Sequence, residues 1–493
     1  MCASTRRRFL ATMAAANIAS AQTSNAPTGR PNILFAMADD WGWPSASIAG
    51  DPVVKTPTFD RVAREGVLFT NAFVSAPSCS PSRAAITTGQ WHWRLEDGAN
   101  LAGTLPSKFP VYTDLLQEAG YHTGFTRKGW GPGDETAGGR TRNPAGPRFA
   151  DFNAFLTEKP KDKAFCFWFG STDPHRKYEP DSGVKSGMRP EDARVPPYLP
   201  DTDVIRRDLC DYYFEVQRFD REVGEMLATL EQTGELDNTI VVVTGDNGLP
   251  FPRAKANLYA AGTHVPLAIR WPGGGKGARK VEDFVSLADM APTFLEAAGL
   301  QPPEQMTARS LIPILRSDRS GRVEKTRDYV LTGMERHVPC RGENRGGYPM
   351  RAIRTHDFLY IRNFAPDRWP AGDPNGFEKA GAQPFTYEQL VERTQLALAD
   401  IDAGPTKAWL VHHRDDSGVA DLYRLAAGKR PAQELYDLRA DPHEMNNVAA
   451  EPKYANNLKR LDARLMAELK RTSDPRAHGR GDIFDSYPYR QRA

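Results

Sequence analysis

Cysteine is scarce in this chain, five in 493 residues, which excludes a small fold stapled by disulfides. No apolar run reaches the roughly 18 residues that a membrane-spanning helix needs. Neither sign of charge dominates: 64 basic side chains face 62 acidic ones, for a net of +2. Leaving out Arg6, Arg7 and Arg8 turns the balance to 61 against 62. The basic excess of a nucleic-acid binder is therefore missing. Internal repeats are missing too. What remains is 40% hydrophobic and 26% charged, enough to bury a large core and far from the composition of a disordered chain. At ~150 residues per domain the length suits two to four domains.

The first 21 residues read as an address. Thr5-Arg6-Arg7-Arg8-Phe9-Leu10 precedes a small, mildly apolar stretch, and Ala19-Ser20-Ala21 offers a small-x-small cleavage site. That is the layout of a signal peptide, and paired arginines before Phe-Leu resemble the twin-arginine export signal. The expected location is periplasmic or secreted. Cys79, Cys166, Cys210 and Cys340 then remain in the mature chain.

Asn32–Ala38 is almost continuously apolar, the pattern of a strand buried on both faces. Runs at 164–169, 239–243 and 266–271 are similar, and helical patterns lie between them at 58–65, 112–119, 208–233 and 287–298. In the long one Leu209, Tyr212, Val216, Phe219, Val223, Leu227 and Leu230 keep one apolar face. Strands alternating with helices predict an α/β domain with a large, mostly parallel sheet flanked by helices. The polar stretch 317–327 reads as a linker. Shorter strands and a closing helix at 454–470 follow it, a smaller α+β unit. The expected division is therefore 1–21 signal, 22–327 catalytic domain and 328–493 C-terminal subdomain. A Pro/Gly-rich tract at 366–384 reads as a surface loop.

Two of the strands end in acidic clusters, Asp39-Asp40 and Asp246-Asn247. Ligands of open α/β sheets bind outside the carboxyl ends of strands. Three carboxylates and an amide oxygen are hard ligands, suited to Ca²⁺ or Mg²⁺ rather than Zn²⁺. A third piece is Cys79-Ser80-Pro81-Ser82-Arg83, with Gly89 closing the segment. Ser80 suits an N-cap, Pro81 the first turn and Gly89 the C-terminus of a short helix. Cys79 then stands at a helix N-terminus, where free N–H groups favour an anion, and Arg83 is within reach. Two readings of Cys79 follow, a low-pKa thiolate or a buried structural thiol.

Cys79-x-Pro-Ser-Arg followed by Gly89 resembles the signature of the type I sulfatases. The likeness extends to Asp39-Asp40, Gly120-Tyr121, Lys128, Asp173-Pro174-His175-Arg176, Asp246-Asn247-Gly248 and Asp441-Pro442-His443-Glu444. It implies an alkaline-phosphatase-like sulfatase fold and a cysteine oxidised to formylglycine by a maturation enzyme. In the family the aldehyde hydrate attacks sulfur, and collapse of the hemiacetal expels sulfate. The resemblance assigns Asp39, Asp40, Asp246 and Asn247 to a Ca²⁺ (or Mg²⁺) ion, with Cys79 as nucleophile beside it. Arg83 and Lys128 would anchor the sulfate, and His175 would assist the leaving group. The implied partner is a sulfated sugar, with no nucleic acid and no membrane span, and the resemblance sets no oligomeric state.

Within the family the run from Asp246 to Tyr259 and Tyr348-Pro349-Met350-Arg351 is similar to the heparan N-sulfatases, the N-sulfoglucosamine sulfohydrolases. A basic residue corresponding to Lys255 contacts sulfate there, although Lys and Arg differ in geometry. The expected activity is exo-cleavage of N-sulfoglucosamine, with an O-sulfatase or a phosphonate or phosphate monoester hydrolase as alternatives. Residues 348–351 are expected to fold over the sugar. Around Lys128 the family usually has Gly-Lys-x-His, whereas this chain has Arg127-Lys128-Gly129-Trp130. Trp130 would stack on a sugar ring, and His92, His264 or His337 would take over the missing imidazole.

Overall fold

Residues 29–343 and 346–490, with Met1, are described by the computed structural model; the export signal read from the sequence lies outside them. In chain order the first strands are β1 (Asn32–Ala38), β2 (Val67–Phe69), β3 (Ala72–Phe73), β4 (His122–Arg127) and β5 (Phe165–Gly170). They are followed by β6 (Thr239–Gly245), β7 (Leu267–Arg270), β8 (Arg279–Val281) and β9 (Val285–Ser286). The main sheet has the order β4-β5-β1-β6-β7-β2-β8. β4, β5, β1 and β6 run parallel, and β7 lies antiparallel to both β6 and β2. The sheet is thus mixed, with a parallel block at one side, and β3 pairs with β9 apart from it.

Every residue of β1 is buried, because helices cover both faces. Leu34, Ala36 and Ala38 join one core with Leu209, Val216, Phe219 and Val223 of the long helix. Ile33, Phe35 and Met37 join the other with Tyr112, Leu287 and Phe294. Full burial stabilises each such side chain by about 1.5–3 kcal/mol. The long helix spans Asp203–Gln232 and starts earlier than its apolar pattern, because the Thr202 side chain accepts a hydrogen bond from the Ile205 amide.

The second sheet is antiparallel, in the order β10 (Tyr329–Met334), β11 (Met350–Thr355), β12 (Phe358–Asn363) and β13 (Gln433–Asp437). The helix Ala455–Arg471 packs Leu461, Leu465 and Leu469 against Leu331, Ile353 and Tyr360 of this sheet. Two connecting segments differ from their polar appearance. Residues 317–327 are strapped down: the Val323 and Glu324 amides donate to Asp283 at 2.7 and 2.6 Å, and the buried Arg327 meets Asp289 at 2.6 Å. The tract 366–384 contributes Ala371 and Phe377 to a small core with Leu390, Leu398 and Val411.

Candidate active site

Four adjacent parallel strands deliver the charged side chains to one edge of the sheet. Lys128 follows β4, the segment from Ser171 to His175 follows β5, Asp39 and Asp40 follow β1, and Asp246 and Asn247 follow β6. The ends of β4 and β5 converge because position 170 is glycine. A Cβ there would lie 1.7 Å from the Lys128 carbonyl oxygen, and the Lys128 amide donates to the Gly170 carbonyl at 2.9 Å. Asp40 takes a left-handed backbone, φ 71°, a conformation that Asp tolerates better than most residues.

Carboxylate oxygens of Asp39, Asp40 and Asp246 lie within 4.8 Å of one another. The Asp40 amide donates to Asp246 Oδ1 at 2.9 Å, and Asn247 Nδ2 donates to Asp40 Oδ1 at 2.7 Å. Asn247 Oδ1 is buried with no hydrogen-bond partner. An orphaned buried acceptor beside three converging carboxylates is the donor set of a hard divalent cation. These residues therefore fit the ion that the fold implies.

Cations close the other side. Arg83 Nε donates to Asp246 Oδ2 at 2.7 Å, and its Nη1 donates to the carbonyls of Lys128 and Gly129 at 2.8 Å each. Arg83 Nη2 has no hydrogen bond. Lys128 Nζ donates to Asp39 Oδ2, and Lys255 Nζ donates to Asp40 Oδ2 at 2.7 Å. Burial alone would raise the Asp39 carboxyl, but Lys128, His175, Arg83 and Lys255 hold it below the usual carboxylate range. His175 stands with Nε2 3.9 Å from Asp40 Oδ2, while its Nδ1 is 2.6 Å from the Arg176 carbonyl oxygen. That carbonyl can only accept, so the Nδ1 carries a proton and Nε2 is the nitrogen free to exchange one.

The helix Cys79–Thr88 is buried throughout and ends at Gly89 in the left-handed region, φ 62°. Cys79 occupies its first position and Ser78 its N-cap, two residues earlier than the sequence reading. Cys79 Sγ lies 3.5 Å from Asp39 Oδ1. The low-pKa thiolate does not survive: burial, with Asp39, pushes this thiol well above its ordinary range. An unmodified Cys79 is a poor nucleophile here.

Cys79, Lys128, His175 and Lys255 line a cavity of about 720 Å³ together with His337, Gln395, Asp402 and Tyr489. The second half of the chain thus supplies one wall, but not through the expected residues. Tyr348 is buried, and Arg351 is locked between Glu335 and Asp474, its Nε 2.7 Å from Asp474 Oδ2. A guanidinium with no exposed surface must be paired, so 348–351 serve the core of the second sheet rather than the sugar. Trp130, only 3% exposed, packs with Leu95, Leu105 and Val111 while bordering the cavity. Of the three candidate histidines, His92 is buried against Ser75 and Trp93. His264 is stacked between Trp43 and Phe73. His337 alone of the three reaches the cavity, its Nδ1 2.8 Å from Ser78 Oγ. Asp402 went unnoticed in the sequence, since no motif surrounds it. Its Oδ2 is 3.2 Å from Lys255 Nζ.

A mixed sheet with carboxylates at its strand ends, facing a Cys-x-Pro-Ser-Arg helix, defines an alkaline-phosphatase-like hydrolase of sulfuric esters. The sulfatase family profile matches residues 31–141 and 147–300, and the chain belongs to that family, whose members generally use formylglycine and a divalent cation. A second profile, N-sulphoglucosamine sulphohydrolase, C-terminal, matches residues 253–364. The human N-sulphoglucosamine sulphohydrolase is 29% identical, over 90% of this chain and 91% of its own. An ulvan-active sulfatase of Formosa agariphila is 28% identical, over 88% of this chain and 73% of its own. Among solved structures, BT4656 in complex with its substrate D-glucosamine-2-N,6-O-disulfate shares the fold, with a TM-score of 0.64 and 20% identity over 90% of this chain and 98% of that one.

Proposed function

We propose that this sulfatase releases sulfate from the non-reducing end of a sulfated sugar, and that N-sulfoglucosamine is its substrate. The observation that carries the reading is the convergence at one edge of the sheet. Arg83, Lys128 and Lys255 face the three carboxylates around Cys79, which is almost fully buried beside a cavity lined in part by the second half of the chain. A buried reaction centre suits a terminal sugar better than the interior of a polymer. The family profile across 253–364 and the human relative support the N-sulfated substrate.

In this reading Asp39, Asp40, Asp246 and Asn247 hold a Ca²⁺ or Mg²⁺ ion, which would polarise the S–O bonds and offset the charge of the sulfate. Formylglycine at position 79 would supply a hydroxyl nucleophile where the thiol is inert. Arg83 and Lys128 hold the sulfate oxygens in line with position 79, and Lys255 binds the sulfate from the second side. His175 gives a proton from Nε2 to the departing atom. The chain is exported by the signal at its N-terminus after maturation in the cytoplasm.

The test is sulfate release from glucosamine N-sulfate beside O-sulfated glucosamine and sulfated uronic and neutral sugars, with mass spectrometry of the peptide spanning Cys79. Turnover of the N-sulfate and an aldehyde-reactive residue 79 are expected. Turnover of O-sulfated sugars alone would remove the N-sulfatase assignment, and an unmodified thiol in a fully active preparation would remove the nucleophile. The second reading, an O-sulfatase of another glycan, is favoured by the ulvan-active relative.

A further inference from the structure

Asp402 stands out in a site that must accept an anion. Asp39, Asp40 and Asp246 converge on one another, but Asp402 does not belong to that set. It reaches the cavity from the segment between β12 and β13, contacting Lys255 at 3.2 Å. One carboxylate oxygen each of Asp402 and Asp40 and a ring nitrogen of His175 lie within 4.8 Å of one another. Asp402 is therefore beside the imidazole that faces the departing atom.

Its placement is fixed from several directions. Arg176, the residue after His175, meets both oxygens of Asp208 at 2.8 Å and donates to the Pro250 carbonyl at 2.9 Å. Asp208 in turn accepts hydrogen bonds from Thr406, from its amide at 3.2 Å and its hydroxyl at 2.5 Å. Gly404 closes on the same guanidinium, where a Cβ would come within 2.5 Å of Nη1. The buried Lys407 ammonium donates to the carbonyls of Thr394, Leu398 and Ile401. The segment carrying Asp402 is thus stapled to the His175 loop and to the loop after β6.

A fixed carboxylate repels sulfate, so it is useful only toward a group that donates hydrogen bonds or carries positive charge. The two kinds of sulfated sugar differ here. An O-sulfate leaves a neutral alcohol. In sulfamate hydrolysis the S–N bond breaks, the water oxygen goes to sulfur, and both water protons end on nitrogen, giving sulfate dianion and an ammonium. Only the second leaving group forms an ion pair with a carboxylate.

We propose that Asp402 is the residue that selects an amino sugar, accepting a hydrogen bond from the sulfamate N–H and pairing with the ammonium of the released sugar. This rests on the N-sulfoglucosamine reading, and its test is separable from it. Calorimetric titration of the full chain with glucosamine or glucose at pH 6, where the free amine is protonated, needs no turnover. Wild type is expected to bind glucosamine at least tenfold more tightly than glucose. Asp402→Asn should lose that preference while keeping its glucose affinity and melting temperature. Equal binding of the two sugars by wild type, binding of neither, or a preference that survives in Asp402→Asn would overturn the proposal. Should the Asn variant not fold, Asp402→Glu, which keeps the charge, must keep the preference. In turnover, Asp402→Asn should lose at least tenfold more in kcat/KM on glucosamine N-sulfate than on 4-nitrophenyl sulfate. An equal loss on both would mean that Asp402 acts only through Lys255, and the proposal fails. If wild type cleaves only O-sulfates, the N-sulfatase reading fails, while the glucosamine preference still decides the role of Asp402.

Discussion

Two imidazoles reach the cavity, and their Nδ1 atoms are held differently. His175 has its Nδ1 against a carbonyl, whereas His337 has its Nδ1 against the hydroxyl of Ser78, the residue before Cys79. Burial pushes the His337 ring below the ordinary imidazole range, so it is uncharged at neutral pH and can accept a proton next to position 79. His337→Gln is expected to lower kcat by about 10²–10⁴-fold, the usual worth of a positioned base, with the melting temperature little changed. A steady-state assay showing wild-type kcat would exclude the role. The carboxylates were legible because each directly follows an apolar run, and Cys79 and Arg83 because they stand in one motif. His337 was not, since Ser78 and His337 are 259 positions apart and only the surroundings separate it from His92 and His264. Asp402 was illegible for the same reason.

At the scale of elements, the buried strands and the long helix follow from their apolar periods, whereas the polar contacts that trim them do not show in sequence. Glu215 lies inside the helix Asp203–Gln232 against Arg218 and near Asp173. Burial and Asp173 push its carboxyl up to about 7 from 4.5. A folded pKa above the unfolded one means that the folded state binds the proton better. The associated stability is complete below about pH 4.5 and is lost as the pH rises through 7. The melting temperature of Glu215→Gln relative to wild type should therefore rise from pH 5 to pH 8, by the equivalent of about 1–3 kcal/mol; a difference that stays constant with pH would contradict the assignment. In β11, Arg351 ends the run 348–351 whose similarity to the N-sulfoglucosamine sulfohydrolases placed it over the sugar. Its partners Glu335 and Asp474 lie far away in sequence and make it a core ion pair. Arg351→Met leaves buried carboxylates short of a partner and should cost about 3–5 kcal/mol in urea unfolding, with KM unaffected in the folded fraction.

Across the whole molecule, the alternation of strands and helices revealed the class of fold. The meeting of its two halves over Cys79 was hidden, because chain order does not say which loops share a cavity. Charge bookkeeping of that meeting has a consequence for the ion. Asp39, Asp40, Asp246 and Asp402 bring four negative charges, and Arg83, Lys128 and Lys255 bring three positive ones. These groups sum to −1, and the proton that His175 would deliver brings the site only to zero, which does not attract a sulfated sugar. A divalent cation makes the site positive, complementary to a singly charged sulfate ester or sulfamate. Metal binding should therefore govern both substrate affinity and stability. Exhaustive chelation is expected to abolish turnover and to lower the melting temperature, and Ca²⁺ should restore both. The ligand-linked stabilisation is about 2.7 kcal/mol when free ion stands at a hundred times its Kd. Asp246→Asn removes one ligand charge and leaves the apolar core intact, so its melting temperature should no longer respond to added Ca²⁺. A wild-type protein whose turnover and melting temperature both ignore chelation, with no metal found by elemental analysis, would show that the carboxylate cluster is held by Arg83, Lys128 and Lys255 alone.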